Sequence, residues 1–488
     1  MSGLSFENAA PVIASAPERA DIACFVGYVR LRDGAAPPQP VASWLVARGW
    51  PAALTETPVP IDNWDVFDAL FAWETRSAVA AEGSSYLGAA VRSFFAQGGR
   101  KCYVVRVGDS WSPLEPPNPA ARLAALVPGY PSRFEPAPGD RRSWKGAGHV
   151  FGLPDVSFLC LPDLADAVST ARGRVAVPDD PPPPVPEFTE CVEGTGAQGG
   201  PKSVRDLEAP RADENGYRDW ALAVNLLGTA LKQNAREAQL VAAVPLPAAG
   251  SRAQRNLPEF LGKYLDRDLD GGGVGSAFVQ LAFPWVRTAG SVGLPEDLES
   301  PDAVLTGILA RNALTRGSYR SVANLAMADV YDVSPRLRRD RLEALTARVT
   351  MSGDTPAGLR LLSDVTASRD ENYRPANVNR LIAAIVRAAR VIGEASVFEP
   401  SNEFLWSQLK GRLTVLLRGL FEAGALRGEL ETEAFSIRCD RSTMSQNDID
   451  EGRVIVVCEI SPAAPIESIR VVLALEDGGR ISLFREAA

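Results

Sequence analysis

Apolar runs of strand length recur along the chain between segments of helical period. IACFVGYV, at 22–29, is followed by VPIDNWDVFDALFAWET, where Asp62 or Asn63 is placed to cap a helix carrying Val66, Leu70 and Phe71 on one side. SSYLGAAVRSFFAQGGRKCYVVRVGD then reads as a capped helix, a stop at Gly98 and Gly99, and a strand. VSFLCLPDL gives a further buried strand, DWALAVNLLGTALKQNAREAQLVAAVPLP a helix and a strand, and SAFVQLAFPWV another strand. Continuous apolar strands alternating with helices predict an α/β domain with parallel pairing over residues 21–365. A polar arm at residues 1–20 precedes it, and a Pro/Gly-rich insertion at about 110–220 interrupts it, with a proline run at 181–184 that reads as a solvated connector.

From 366 to 488 the pattern changes to two long amphipathic helices and a β tail, an α+β unit with a C-terminal strand arm. NVNRLIAAIVRAARVIG places Val378, Leu381, Ile382, Ile385, Ala389 and Ile392 on one face, and Arg380 and Arg387 on the opposite one. NEFLWSQLKGRLTVLLRGLFEAG directs Leu405, Leu409, Leu413, Leu416 and Leu420 inward and Arg412 and Arg418 outward, and Gly424 and Gly428 end it. AFSIRCD, RVIVVCEI, SIRVVLALE and RISLF are the strand candidates that follow. The four arginines are expected on solvent-facing stripes.

Composition narrows the function classes. With 51 Lys plus Arg against 60 Asp plus Glu in 488 residues, the net charge of −9 excludes a basic nucleic-acid binder driven by phosphate contacts. No apolar run approaches the roughly 20 residues of a membrane helix, and no leader pattern opens the chain, so a cytoplasmic protein without membrane insertion is expected. The six cysteines lack metal-ligand spacing; five read as buried thiols, and Cys191, in a polar loop, is the candidate for an intersubunit disulfide. His149, the one histidine, reads as a loop or surface residue with no assigned chemistry. Asp266, Asp268, Asp270 and Gly271 imitate a calcium loop, but Ala277 stands where its twelfth-position acid belongs. With no nucleophile elbow and no Walker loop, neither catalytic residue, metal nor cofactor is expected.

Several segments, in order, resemble the tail sheath family of contractile phage tails and contractile injection systems. IACFVGYV is similar to the family's opening A-F-V-G strand, SSYLGAAVRSFFAQGGRKCYVVRV to its helix, N-G-G turn and V-V-R-V strand, and FPWV to its P-W strand. F-E-P-x-N-x-x-L-W, G-A-L-x-G, A-F-x-x-x-C-D and D-I-D-x-G-R all follow in the family's order. The chain departs from the pattern in lacking the P-G-V-Y strand of the arm and in carrying Ala313 where the R-x-D-x-x-R-G segment has its acid.

The resemblance implies a non-catalytic, subtilisin-like core and a structural subunit that stacks as hexameric rings around an inner tail tube and contracts to drive the tube through a target envelope. It implies as partners further copies, joined by exchange of residues 1–20 and the two terminal strands between subunits, the tube protein, and the baseplate and tail terminator proteins, in a particle assembled in the bacterial cytoplasm. The C-terminal unit lies innermost in that family, which makes Arg380, Arg387, Arg412 and Arg418 the expected tube contacts. The alternatives are a minor or baseplate-end variant of the same machine, or a subtilisin-like-fold hydrolase.

Overall fold

In this computed structural model the described residues are 19–51, 53–78, 81–170, 204–266, 274–396, 399–463, 469–476 and 480–484. Residues 1–18, the proline run, Cys191 and the acidic turn beyond Asp266 lie outside them. Strand β1 (Ala23–Tyr28) is buried at every position, so apolar layers cover both of its faces, as in a parallel sheet. It joins β2 (Pro58–Ile61), β3 (Cys102–Gly108), β4 (Phe158–Cys160), β5 (Gln239–Ala243), β6 (Val279–Phe283), β7 (Thr350–Thr355) and β8 (Gly358–Leu361) in one sheet. The strand order is β8-β7-β6-β5-β4-β1-β3-β2, parallel across the six central strands and antiparallel at both edges.

Local signals act where they were read. Ser85 caps α1 (Tyr86–Ala96) by accepting from the Gly88 N–H at 3.1 Å, and Gly98, at φ 102°, turns the chain into β3. Asn63 likewise accepts from Val66 at 3.0 Å. SAFVQLAFPWV is two strands rather than one. Pro284 has no N–H to give to a ladder, and beyond it Trp285–Thr288 leaves the main sheet to pair antiparallel with Val330–Ser334. Helix α2 (Glu214–Asn234) lies against β5, and α1 packs on α3 (Asp302–Thr315). The stretch read as an insertion contributes β4, which sits in the middle of the sheet.

A second hydrophobic cluster belongs to α4 (Ala376–Glu394), α5 (Glu403–Glu422), β9 (Phe435–Arg438) and β10 (Val454–Ile460), and β11 (Ile469–Glu476) and β12 (Arg480–Phe484) complete the antiparallel sheet β9-β10-β11-β12. The buried stripe of α5 runs through Leu405, Leu409, Leu413 and Leu417, with Leu416 and Leu420 only partly covered. β11 pairs with β10 of its own chain over Val454↔Leu475 to Ile460↔Ile469.

Burial makes some polar groups costly. The Glu299 carboxyl, between Ser93 Oγ at 2.6 Å and Thr288 Oγ1 at 2.5 Å, is pushed up by burial from its ordinary 4.5 to about 8, against the help of those hydroxyls. The folded chain therefore holds this proton more tightly than the unfolded one. The stabilisation is complete below the unfolded value and is lost as pH rises towards about 8. Urea unfolding at pH 5 and pH 8 should show Glu299→Gln losing less stability over that interval than the wild type, by up to about 1.4 kcal/mol per pH unit. Equal slopes would show Glu299 to be ionised in the fold.

Candidate functional site

The strand order reverses between β1 and β4, and the carboxyl ends of those strands are where an open α/β sheet ordinarily forms a ligand crevice. Side chains of the chain itself fill this place. Asp163, just past β4, accepts from the Tyr28 N–H at 2.9 Å, and a Cβ on Gly27 would lie 2.2 Å from its Oδ2, so only glycine fits there. Burial pushes the Asp163 carboxyl up to about 7, while the Tyr28 N–H and the Arg76 guanidinium oppose the shift. Arg76 binds Asp166 at 2.6 Å and the Trp111 carbonyl at 2.7 Å, between the rings of Tyr86 and Trp111. His149 lies elsewhere, in a 3₁₀ turn over Gly146–Gly152. It is buried rather than on the surface, with Nε2 3.1 Å from Glu56 and its ring against Trp50.

The opposite, amino edge of the sheet carries an arginine seam, and here the expected tube-contact set changes. Arg380 and Arg387 are 5% and 4% exposed, so they do not form an outward stripe. Arg380 grips Asp364 through both Nη atoms, at 3.1 and 2.7 Å, and donates from Nε to the Ser318 carbonyl at 3.0 Å. Asp364 also accepts from the Val322 N–H at 3.0 Å and from Gln280 at 3.1 Å. Burial alone would raise its pKa, but Arg380 and these donors hold it below the ordinary carboxylate value. Arg387 donates to the Val156 carbonyl and Ser157 Oγ, both at 2.8 Å, to the Glu237 carbonyl at 2.9 Å, and to the Arg19 carbonyl. One turn further on, Arg390 pairs with the Glu237 carboxylate. The physical reason is the face itself: Ala383 and Ala384 lie between the arginines, and such small side chains let α4 sit flush on the sheet edge.

Arg412 and Arg418 do lie on the exposed face of α5. Arg418 is not uncompensated, since it meets Glu431 at 2.7 and 3.2 Å. The same face exposes Phe404 and Val415, 77% and 67% accessible, and leaves open space over Gly411 and Gly419. No cluster of three or more His, Cys, Asp or Glu residues suited to a metal occurs among the described residues, and no described helix is long and apolar enough to cross a membrane.

The seam makes a stability prediction. Arg380→Ala leaves Asp364 buried without its counter-charge and should cost about 3–5 kcal/mol in urea unfolding. Because the Asp364 pKa is lowered in the fold, its contribution is full at neutral pH and fades as pH falls below the unfolded value of 3.8. The deficit of Asp364→Asn should therefore shrink under acid, and a deficit that grows there would contradict the pairing.

Comparison with known proteins places this geometry. No family model matches the chain, and no curated protein matches it in sequence. Solved structures do match, over nearly the whole length. A chain of the anti-feeding prophage (AFP) baseplate, 6-fold symmetrised, matches at 19% identity and a TM-score of 0.58, with 96% of each chain covered. A chain of the AFP helical sheath in its contracted state matches at 19% and 0.57, covering 96% of this chain and 97% of that one. The sheath complex of an extracellular contractile injection system, PVC, in its contracted state, matches at 16% and 0.53, covering 96% of each. The chain, from β1 to the C-terminal sheet, has the fold of contractile-injection-system sheath proteins.

Proposed function

We propose that the protein is a structural sheath subunit of a contractile tail or injection system, polymerising as stacked hexameric rings around an inner tube and contracting to drive that tube through a target envelope. The observation that carries this reading is the match over 96% of the chain to a subunit of a contracted helical sheath, in a sequence whose F-E-P-x-N-x-x-L-W and D-I-D-x-G-R blocks resemble the same family. The filled switch point supports a structural role, since Asp163, Arg76 and Asp166 occupy with internal contacts the place where an α/β enzyme binds substrate. The particle would be a virion tail or an injection machine assembled in a bacterial cytoplasm, with the baseplate and a tail terminator as further partners. Its two units, 21–365 outward and 366–488 inward, would be linked to neighbouring copies by the arm at 1–20 and by the terminal strands. For the latter to move together to a neighbour, β11 must give up its pairing with β10 of the same chain, while β12 stays paired with β11.

Tube contact, in this reading, belongs to Arg412 and Arg418 on the exposed face of α5, around Phe404 and Val415. Exposed ion pairs are individually weak and screened by salt, so their use is collective: ring symmetry multiplies them, and each is readily released as subunits move. Coexpression with the tube protein of the same particle, followed by electron microscopy, should show sheathed tubes. Arg412→Glu combined with Arg418→Glu should abolish sheathing while leaving the melting temperature of the monomer nearly unchanged. Normal sheaths from the double variant, or a variant that no longer folds, would refute the contact. The similarity to a baseplate chain at a TM-score of 0.58 favours, as a second reading, a minor sheath at the baseplate end. Copy number per purified particle separates the two: many rings' worth for the major sheath, one or two for the minor.

A further inference from the structure

The structure assigns Arg387 as the residue that ties the root of the N-terminal arm to the C-terminal unit. Its guanidinium sits where β5, β4 and β1, three adjacent strands, begin. It holds the Glu237 carbonyl before β5, Val156 and Ser157 before β4, and the Arg19 carbonyl before β1. Arg19 stands four residues ahead of β1, so this guanidinium holds the chain where it enters the sheet. Among the described residues no carboxylate pairs directly with Arg387, although Glu237, Asp155 and Asp21 act on it at a distance. Its charge is met by main-chain carbonyls and one hydroxyl, and burial lowers its pKa. A planar fork of donors can reach four acceptors set around it, whereas a lysine ammonium has three donors radiating from one point. Arg390, which among the described residues pairs with Glu237, makes no such bond to Arg19.

A pull on the arm therefore reaches α4 as directly as it reaches β1, and through α4 it reaches the second core. This mechanical use rests on the sheath reading, in which the arm binds a neighbouring copy; the joint itself is a property of the isolated chain. In a contracting assembly it would make the C-terminal unit follow the neighbour that holds the arm.

The sequence supplies a direct readout. Residues 1–18 contain no Lys or Arg, so the first bond open to trypsin is Arg19–Ala20, whose carbonyl is the one that Arg387 holds. Limited trypsin digestion of the folded full-length chain, followed by mass spectrometry, should release residues 1–19 about tenfold or more faster from Arg387→Lys than from the wild type. Arg390→Gln should leave that rate unchanged. Equal rates for the wild type and a folded Arg387→Lys overturn the assignment, because Arg19 would then be held by its pair with Asp21 and by the sheet alone. If Arg387→Lys does not fold, shown by simultaneous cutting at many sites, the wild type serves instead. After prolonged digestion at Arg19, hydrogen exchange in α4 should rise severalfold over the intact chain, since coupling between two sites is reciprocal. Unchanged exchange in α4 overturns the assignment. None of these measurements needs a tube or a polymer, so the joint can fail while the sheath reading stands, and the reverse.

Discussion

A guanidinium carries five N–H donors and stays charged, so burying one is tolerable only where oxygen atoms already converge. The amino edge of a parallel sheet is such a place. Strands that run the same way all begin there, and the carbonyls just ahead of them are not yet committed to the ladder. Arg387 takes those ahead of β1, β4 and β5, and Arg380 takes Asp364, which itself braces β6 through Gln280. Directional, desolvated contacts are thus part of the joint between the two cores. Contacts of that kind fix register between α4 and the sheet, because a shift along the helix strands buried donors.

The two edges of the sheet divide the work. At the carboxyl edge the chain closes its own crevice with Asp163, Arg76 and Asp166, together with a glycine that admits the carboxylate. At the amino edge it mounts the C-terminal unit and the root of the arm. What faces solvent on α5 is then free of the seam. A sheath subunit of the kind proposed above would need this separation between strong internal joints and weak external ones.

Much of the fold was legible in periodicity. The apolar blocks located the main strands because buried parallel strands are continuous in sequence, and the Ser85 and Gly98 signals bounded α1 because a cap and a left-handed turn have few alternatives. The candidate site was legible only in part. Periodicity shows that Arg380 and Arg387 oppose the apolar face of α4, but not whether a second surface covers them. A signal was present: from Arg380 to Arg390 that stripe carries alanines and arginines with no lysine or glutamate, unlike α5, where Lys410, Arg412 and Glu422 face water. Their partners, Asp364, Val156 and Glu237, lie 16 to 231 residues away, a pairing that no local pattern encodes. Pro284 was visible in the sequence, yet the two strands flanking it were read as one because their apolar character is continuous.

Buried arginines weld α4 and the sheet into one body. Native-state hydrogen exchange across low denaturant reads this weld out, since it gives the opening free energy of each segment separately. The amides of α4 should open together with those of β4 and β5, at one shared free energy. Opening of α4 at a free energy well below that of β4 and β5, with the sheet still closed, would contradict it.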